Sequence, residues 1–493
     1  MFLVDLFNKH ADDNLRTISE VKENISQSQL YINMNTITLS GWVKTYRNQQ
    51  DICFFSINDG SCIKNIQIIV DSNCNLIKSD NIEQINDNLS KLSIGASIEL
   101  KGLLVKPPIN STESIEIHLT EILYTGLIED KQSYIISKGR VKPDVMRKHQ
   151  HIRCKTNLFS NLMKVRSMAM YSVHQFFHEN HFYHLDPNVI TTSDCEGAGE
   201  VFEIVAPTDK CKGGKEDFFN KNAYLTVSSQ LQLEALCSGL GRCYTTNPSF
   251  RAEKSDTCRH LASFTHIEYE LSFCGLTELL DISENMIKCV IKKCLHNCED
   301  EYKFIDKFYS KNIISRLQTY LENDFPRISY DEALTILQNA RKIKELIIDN
   351  KDMPVWGDDL GSVCERFLAE FHFKLPVMVY NYPKKLKSFY MKEDKNNPEV
   401  VNCMDLLVPC IGELIGSSVR EDDYQKIISN MDAKKIDKKP LNWYLDLRKN
   451  GSWRHAGGGL GFERLVGMLT MDSNNFNVRD CIPFPVSYGE CDY

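Results

Sequence analysis

The sequence has no apolar run approaching the roughly 18 residues that a membrane span requires, because Lys, Asn or Asp interrupts its hydrophobic stretches every few positions. It has no visible internal repeat, and 15 Pro with 24 Gly in 493 residues are too few for a collagenous or low-complexity chain. An excess of positive charge is also missing. Its 58 Lys and Arg face 66 Asp and Glu, giving −8, the wrong sign for a protein that coats nucleic acid without preference. Asp5 interrupts the first apolar residues, and Asp12, Asp13 and Glu20 follow, which argues against a secretory core and against an acid-poor transit peptide. The 18 Cys are scattered, without the dense framework of small secreted domains, so reduced thiols in a cytosolic protein are expected. The tightest thiol group, Cys289, Cys294, His296 and Cys298, has no second ligand pair, which favours a helix carrying thiols over a zinc site.

What remains is a soluble, globular composition, 42% hydrophobic and 25% charged, with length for about three domains. Charge is informative only locally. Lys131, Lys138, Arg140, Lys142, Arg147, Lys148, Arg153 and Lys155 stand against the single acid Asp144; the stretch is either a solvated linker or a phosphate-contacting patch.

Five short strand-like runs are spaced evenly between Thr36 and Thr125: 38–43, 53–57, 63–70, 97–102 and 115–119. Asn58-Asp59-Gly60 marks a hairpin between the second and third, and the set fits a small closed barrel of the OB type. The period then changes to 3.6, with Leu158, Leu162, Val165, Ala169 and Phe176 predicting a long amphipathic helix up to Asn180. Beyond Pro187, helical segments alternate with neighbouring strand-like runs that lack regular intervening helices, which predicts an α+β domain on a mostly antiparallel sheet. We place an N-terminal barrel at 1–130, a basic hinge at 131–155 and a larger domain at 156–493.

Three segments carry chemistry. Ser249 to Glu268 places Arg251 and Glu253 on one face of a strand-like arm, with Arg259, His260 and Phe264 on the returning arm, which suits phosphates and a stacked ring. Met404 to Arg420 contains Asp405 and Glu413, hard oxygen ligands suited to Mg²⁺ bound with substrate phosphates. Gly457-Gly458-Gly459-Leu460-Gly461-Phe462-Glu463-Arg464 allows close backbone approach before a helix with an early cation, a tight packing turn being the bland alternative; it does not match the Walker pattern. In the barrel, Arg47, Phe54, Phe55 and Gln67 are of the types that hold phosphate, stack on bases and bond to base edges, although barrels also bury aromatics routinely.

Phe-Arg-Ala-Glu followed by Thr-Cys-Arg-His-Leu resembles motif 2 of the class II aminoacyl-tRNA synthetases. Gly-Leu-Gly-Phe-Glu-Arg-Leu resembles motif 3, and the long helix ending near Pro187 resembles motif 1. With the barrel in front, the chain is similar to the aspartyl, asparaginyl and lysyl subgroup, most of all to the asparaginyl enzymes. Where aspartyl enzymes carry a Lys for the substrate carboxylate, this chain has Leu233 within Ser228-Ser229-Gln230-Leu231-Gln232-Leu233-Glu234. The loop Thr192 to Glu200 resembles asparaginyl forms too, whereas the Lys210–Lys215 stretch departs from the pattern as an insertion.

The resemblance implies ligation of L-asparagine to tRNA(Asn) through an adenylate, with ATP as substrate and Mg²⁺ as cofactor, in a homodimer with Pro187 at its interface. It implies Arg251 on the α-phosphate, Phe264 on adenine with Arg464 behind it, Arg259 and His260 on the γ-phosphate, Glu253 orienting the nucleotide, and Asp405 with Glu413 on the metal. Glu196 and Gln230 would bind the substrate ammonium group. We expect Glu268 to accept from the substrate amide NH₂ while Arg420 donates to its oxygen, and Arg47, Phe54 and Gln67 to read the anticodon. Three alternatives remain open on the sequence: an aspartyl enzyme, including a nondiscriminating one, an asparagine synthetase of synthetase ancestry, and a noncatalytic RNA-binding paralogue.

Overall fold

The computed structural model describes residues 2–3, 5–6, 36–49, 52–71, 82–107, 115–138, 141–192, 200–205, 218–349 and 352–493. The chain divides into two compact units, Met1–Asn161 and Leu162–Tyr493.

The first unit is a closed five-stranded barrel, β1 (Thr36–Gln49), β2 (Ile52–Asn58), β3 (Ile66–Asp71), β4 (Ser97–Val105) and β5 (Glu116–Gly126), in the order β1-β2-β3-β5-β4. All neighbours are antiparallel except β3 and β5, whose parallel pairing closes the ring. Alternation sets the core: Cys53, Phe55 and Ile57 of β2 and Ile66, Ile68 and Val70 of β3 point inward, and a continuous cluster with Leu100 and Ile117 fills the barrel. The hairpin expected at Asn58-Asp59-Gly60 is present but longer than two residues. The Asn58 side chain accepts from Gly60 N–H and donates to the carbonyls of Cys62 and Lys64, so β3 starts three residues later than its apolar run. A helix between β3 and β4, Ile82–Lys91, escapes the sequence reading because it lies between two strand runs in a stretch of weak pattern. In the basic stretch, Arg153 is buried and its guanidinium lies 3.9 Å above the Phe159 ring, so this cation is a packing element and not part of a surface patch.

The long helix is Asn157–Glu179, most of it in the second unit, and of the residues that predicted it Leu162, Val165, Ala169 and Phe176 are buried and Leu158 is half-buried. It packs against a sheet ordered β12 (Arg327–Ser329), β13 (Val377–Tyr380), β14 (Cys403–Val408), β15 (Gly412–Val419), β16 (His455–Gly461), β11 (Ser263–Ser272), β9 (Arg242–Thr245), β6 (Tyr183–His184), with β10 (Pro248–Phe250) also on β11. A separate two-stranded sheet pairs β7 (Ile190–Thr191) with β8 (Tyr224–Leu225). Pairing in the large sheet is antiparallel across its centre and parallel only at its two ends, β12 with β13 and β6 with β9. The α+β expectation therefore agrees with the fold. Arg166 locks the helix to the sheet: it bonds to Thr265 Oγ1 and the Cys481 carbonyl and pairs at 2.9 Å with Glu463, which is only 2% exposed.

Candidate active site

β11 is the spine of the site. Phe264, His266, Glu268 and Glu270 alternate along it and share one face. On one side β16 lies antiparallel, pairing Glu268 with Gly459 and Glu270 with Gly457, and beyond it β15 pairs Gly416 with Gly459 and Ser418 with Gly457. The glycine run is thus a central strand that leads directly into the helix Phe462–Thr470, and not a packing turn. A β-carbon on Gly457 would lie 2.0 Å from Glu270 Oε2, and one on Gly459 would lie 2.8 Å from His266 Nε2. Side chains there would evict those of the spine, so the run is a bare floor across which the carboxylates of β11 can lie.

Two hollows, of about 280 and 160 Å³, adjoin over this floor and share Arg251, His266, Glu413, Gly416 and Gly459. The smaller gathers Arg251, Glu253, Arg259, His260, Phe264 and Arg464. Arg251 follows β10 without continuing the strand, held by its N–H bond to the Ala262 carbonyl. Its guanidinium lies 5.6 Å from the Phe264 ring centre and 3.8 Å from Glu253, so the pairing inferred from period 2 arises from a loop. His260 Nδ1 bonds to Thr257 Oγ1 at 2.6 Å, and its Nε2 faces Glu253 at 3.5 Å. Burial lowers the His260 pKa below the usual imidazole range, with Arg464, Arg259 and Arg251 adding to the effect against Glu253. Arg464 donates to the Glu413 carbonyl at 2.9 Å.

The larger hollow brings together Gln230, Glu268, Arg420, Asp405 and Glu413 with four residues that the sequence reading missed, Ser228, Glu270, Lys387 and Tyr390. Glu268, 3% exposed, accepts from Ser228 Oγ and from Ser229 N–H at 2.8 Å. Arg420 forms a two-pronged pair with Glu270, Nε to Oε1 at 3.1 Å and Nη2 to Oε2 at 2.9 Å, and donates from Nη1 to Ser418 Oγ. Leu233 also lines this hollow. Glu270 was within reach of the sequence, since it repeats the period of His266 and Glu268 once more. Lys387 had no such signal; it comes from a distant loop and pairs with Asp405 while lying 4.0 Å over the Tyr382 ring.

Asp405 and Glu413 converge. A β-carbon on Gly416 would lie 2.9 Å from Glu413 Oε1 and 4.0 Å from Asp405 Oδ1. Burial, with Glu413 nearby, pushes the Asp405 carboxyl up to about 6 against the pull of Lys387, and burial with Glu413 and Asp359 pushes that of Glu365 up to about 7. Among the described residues, no group of three or more His, Cys, Asp or Glu side chains could hold a metal by itself. Two hard carboxylates at a phosphate-sized hollow nevertheless fit Mg²⁺, which usually takes one or two protein carboxylates and completes its shell with phosphate and water oxygens.

Other expected residues fall elsewhere. Glu196 lies outside the described residues, as do Arg140 and the Lys210–Lys215 insertion. Pro187 is buried within its own chain, its carbonyl accepting from Asn247 Nδ2 at 2.7 Å, between exposed Asp186 and Asn188. On the barrel, Arg47 pairs with Phe54 across β1 and β2, while Gln67 on β3 pairs with Ser56, two residues along from Phe54. The three therefore share the outer face. Phe55 points into the core at 1% exposure and Phe54 does not.

An antiparallel sheet with a bare glycine floor, a cationic nucleotide-sized hollow and a separate OB barrel define a class II aminoacyl-tRNA synthetase. Residues 142–488 match the family of tRNA synthetases class II (D, K and N), and residues 37–123 match the OB-fold nucleic acid binding domain. The "Asparagine--tRNA ligase" of Parabacteroides distasonis is 39% identical over 460 residues, covering 91% of this chain and 94% of the relative, and that of Desulfotalea psychrophila is 40% identical over 455 residues, covering 92% and 95%. The crystal structure of asparaginyl-tRNA synthetase from Pyrococcus horikoshii complexed with asparaginyl-adenylate has a TM-score of 0.79 at 32% identity, covering 92% of this chain and 96% of that one. The chain belongs to the asparagine-tRNA ligase family of class II synthetases. No helix among the described residues is long and apolar enough to cross a membrane.

Proposed function

We propose that this protein activates L-asparagine with ATP and transfers it to tRNA(Asn), acting in the cytosol as a homodimer. The observation that carries the reading is the shared lining of the two hollows: one takes a nucleotide among cations and the other takes a small polar amino acid over the same Arg251 and Glu413. In the first step the asparagine carboxylate attacks the α-phosphorus, forming the mixed anhydride and expelling pyrophosphate. No protein nucleophile is needed, so this chain's residues align the reactants and meet developing charge. Arg251 is placed for the α-phosphate, Phe264 and Arg464 for the adenine, Arg259 and His260 for the γ-phosphate, and Glu253 orients the last of these through His260. Asp405 and Glu413 would hold Mg²⁺, which when bound neutralises phosphate charge as a Lewis acid.

Gln230 and Glu196 would take the substrate ammonium, and Glu268 and Arg420 its side-chain amide. In the recess for that amide, Glu268 and Glu270 outnumber Arg420. The local charge of −1, with Leu233 in place of a cation, disfavours the carboxylate of aspartate. ATP-pyrophosphate exchange with asparagine or aspartate, followed by charging of tRNA, tests the whole reading. Exchange with asparagine and charging of tRNA(Asn) are the expected results. Exchange with aspartate alone, release of free asparagine, or no exchange would each put one of the three alternatives in its place.

Residues 1–130 would bind the anticodon and 131–155 would serve as a hinge to the catalytic 156–493. Phe54→Ala should lower tRNA charging about tenfold or more, through one lost base stack of ~1–3 kcal/mol. Because Phe54 lies on the outer face of the barrel, tRNA-independent exchange should change less than twofold. Equal loss of both activities would make Phe54 a structural residue.

A further inference from the structure

Behind the amino-acid hollow lies a buried acid with no part in the mechanism above. Glu234, on the helix Gln230–Leu240, is 0% exposed. Its Oε2 accepts from Arg448 Nη2 at 2.6 Å, His455 Nε2 at 2.9 Å and Tyr444 OH at 2.8 Å. Its Oε1 accepts from Gln230 Nε2 at 3.0 Å and lies 3.9 Å from Arg420 Nε. A carboxylate so surrounded by donors is an acceptor only. The Gln230 amide must therefore turn its NH₂ toward Glu234, which leaves its oxygen as the atom presented to the hollow. The reverse orientation would set two carbonyl-type acceptors against each other at the back and aim two N–H donors at the ligand. The main chain reinforces this placement, because Gln230 N–H bonds to Ser228 Oγ, which in turn donates to Glu268.

We propose that Glu234 is a positioning residue for amino-acid recognition: by fixing the Gln230 amide with its oxygen toward the hollow, it makes the site demand a positively charged amino group on the ligand. The proposal rests on the reading of Gln230 as the ammonium acceptor. It selects α-amino acids over otherwise identical carboxylic acids, a discrimination distinct from that between asparagine and aspartate.

The test compares asparagine with succinamate, which keeps the carboxylate and the side-chain amide but has no amino group. Glu234→Asp keeps the charge that Arg448 and His455 require and withdraws the carboxylate from Gln230 by one methylene; Glu234→Gln keeps the length and loses the charge. In pyrophosphate exchange, either folded variant should raise the asparagine KM about tenfold or more, the scale of one lost charge-assisted hydrogen bond, with the ATP KM unchanged within twofold. The inhibition constant of succinamate against asparagine should stay within twofold of wild type. Equal weakening of asparagine and succinamate, or an unchanged asparagine KM in Glu234→Asp, overturns the proposal. Gln230→Met separates the two levels of inference: an unchanged asparagine KM there removes the ammonium reading itself. A raised KM there, with Glu234→Asp behaving as wild type, removes only the role of Glu234.

Discussion

Arg251→Ala is expected to lower asparagine-dependent pyrophosphate exchange by about 10³-fold, the scale of losing one preorganised donor from a site of developing negative charge. Arg251 is the one cation common to both hollows whose ion pair is loose, 3.8 Å from Glu253 with a side chain 31% exposed. A long, partly exposed pair of this kind contributes little to stability, so the melting temperature should move by no more than a few degrees. Arg464 gives a less clean experiment, because it also holds the Glu413 carbonyl and its loss would disturb β15 together with the adenine site. Exchange within tenfold of wild type in folded Arg251→Ala would remove Arg251 from the α-phosphate and with it the core of the proposed mechanism. A large drop in melting temperature alongside the loss of activity would instead mark Arg251 as structural.

The barrel was legible because its strands alternate: β2 and β3 carry a buried apolar residue at every second position, and period 2 survives in one dimension. The long helix was legible for the same reason at period 3.6. The glycine floor was legible in composition but not in form. A run of glycines carries no pattern that separates strand from turn, and only the neighbours Glu270, Tyr269 and His266, brought in by β11, make its bareness necessary. Lys387, Glu365 and the Glu234 cluster were not legible, because each gains its meaning from partners far away in the chain. Glu234 meets Tyr444, Arg448 and His455, more than 200 positions on, and a lone Glu in an amphipathic helix reads as a solvated charge. Motif spacing located the phosphate hollow, whereas the neutralisation of Arg420 by Glu270 exists only once β15 and β11 are placed on either side of β16.

That neutralisation has the second large consequence. Glu270→Gln should reduce the preference for asparagine over aspartate, measured as the ratio of kcat/KM values in pyrophosphate exchange, by about 10²-fold. The pair is deeply buried, with side-chain exposures of 4% for Arg420 and 1% for Glu270. Removing Glu270 strips Arg420 of its two-pronged counterion and leaves only Glu234, 3.9 Å away and already bonded to Arg448 and His455, at a cost of about 3–5 kcal/mol in stability, seen as a lowered melting temperature. An aspartate carboxylate entering the hollow can replace the lost counterion, whereas an asparagine amide cannot. Aspartate should therefore raise the melting temperature of Glu270→Gln more than asparagine does, the reverse of the wild-type order, because a ligand stabilises in proportion to its affinity for the folded state. Glu268→Gln removes a negative charge from the same recess but leaves Arg420 paired, so its effect on the ratio should be smaller, about tenfold, and should come without aspartate-dependent stabilisation. Aspartate exchange that stays undetectable in both folded variants, with asparagine exchange retained, would show that these two carboxylates do not set the choice of substrate. A shift in Glu268→Gln but not in Glu270→Gln would assign the choice to direct contact with the substrate amide and leave the Arg420 pair a structural element of the sheet.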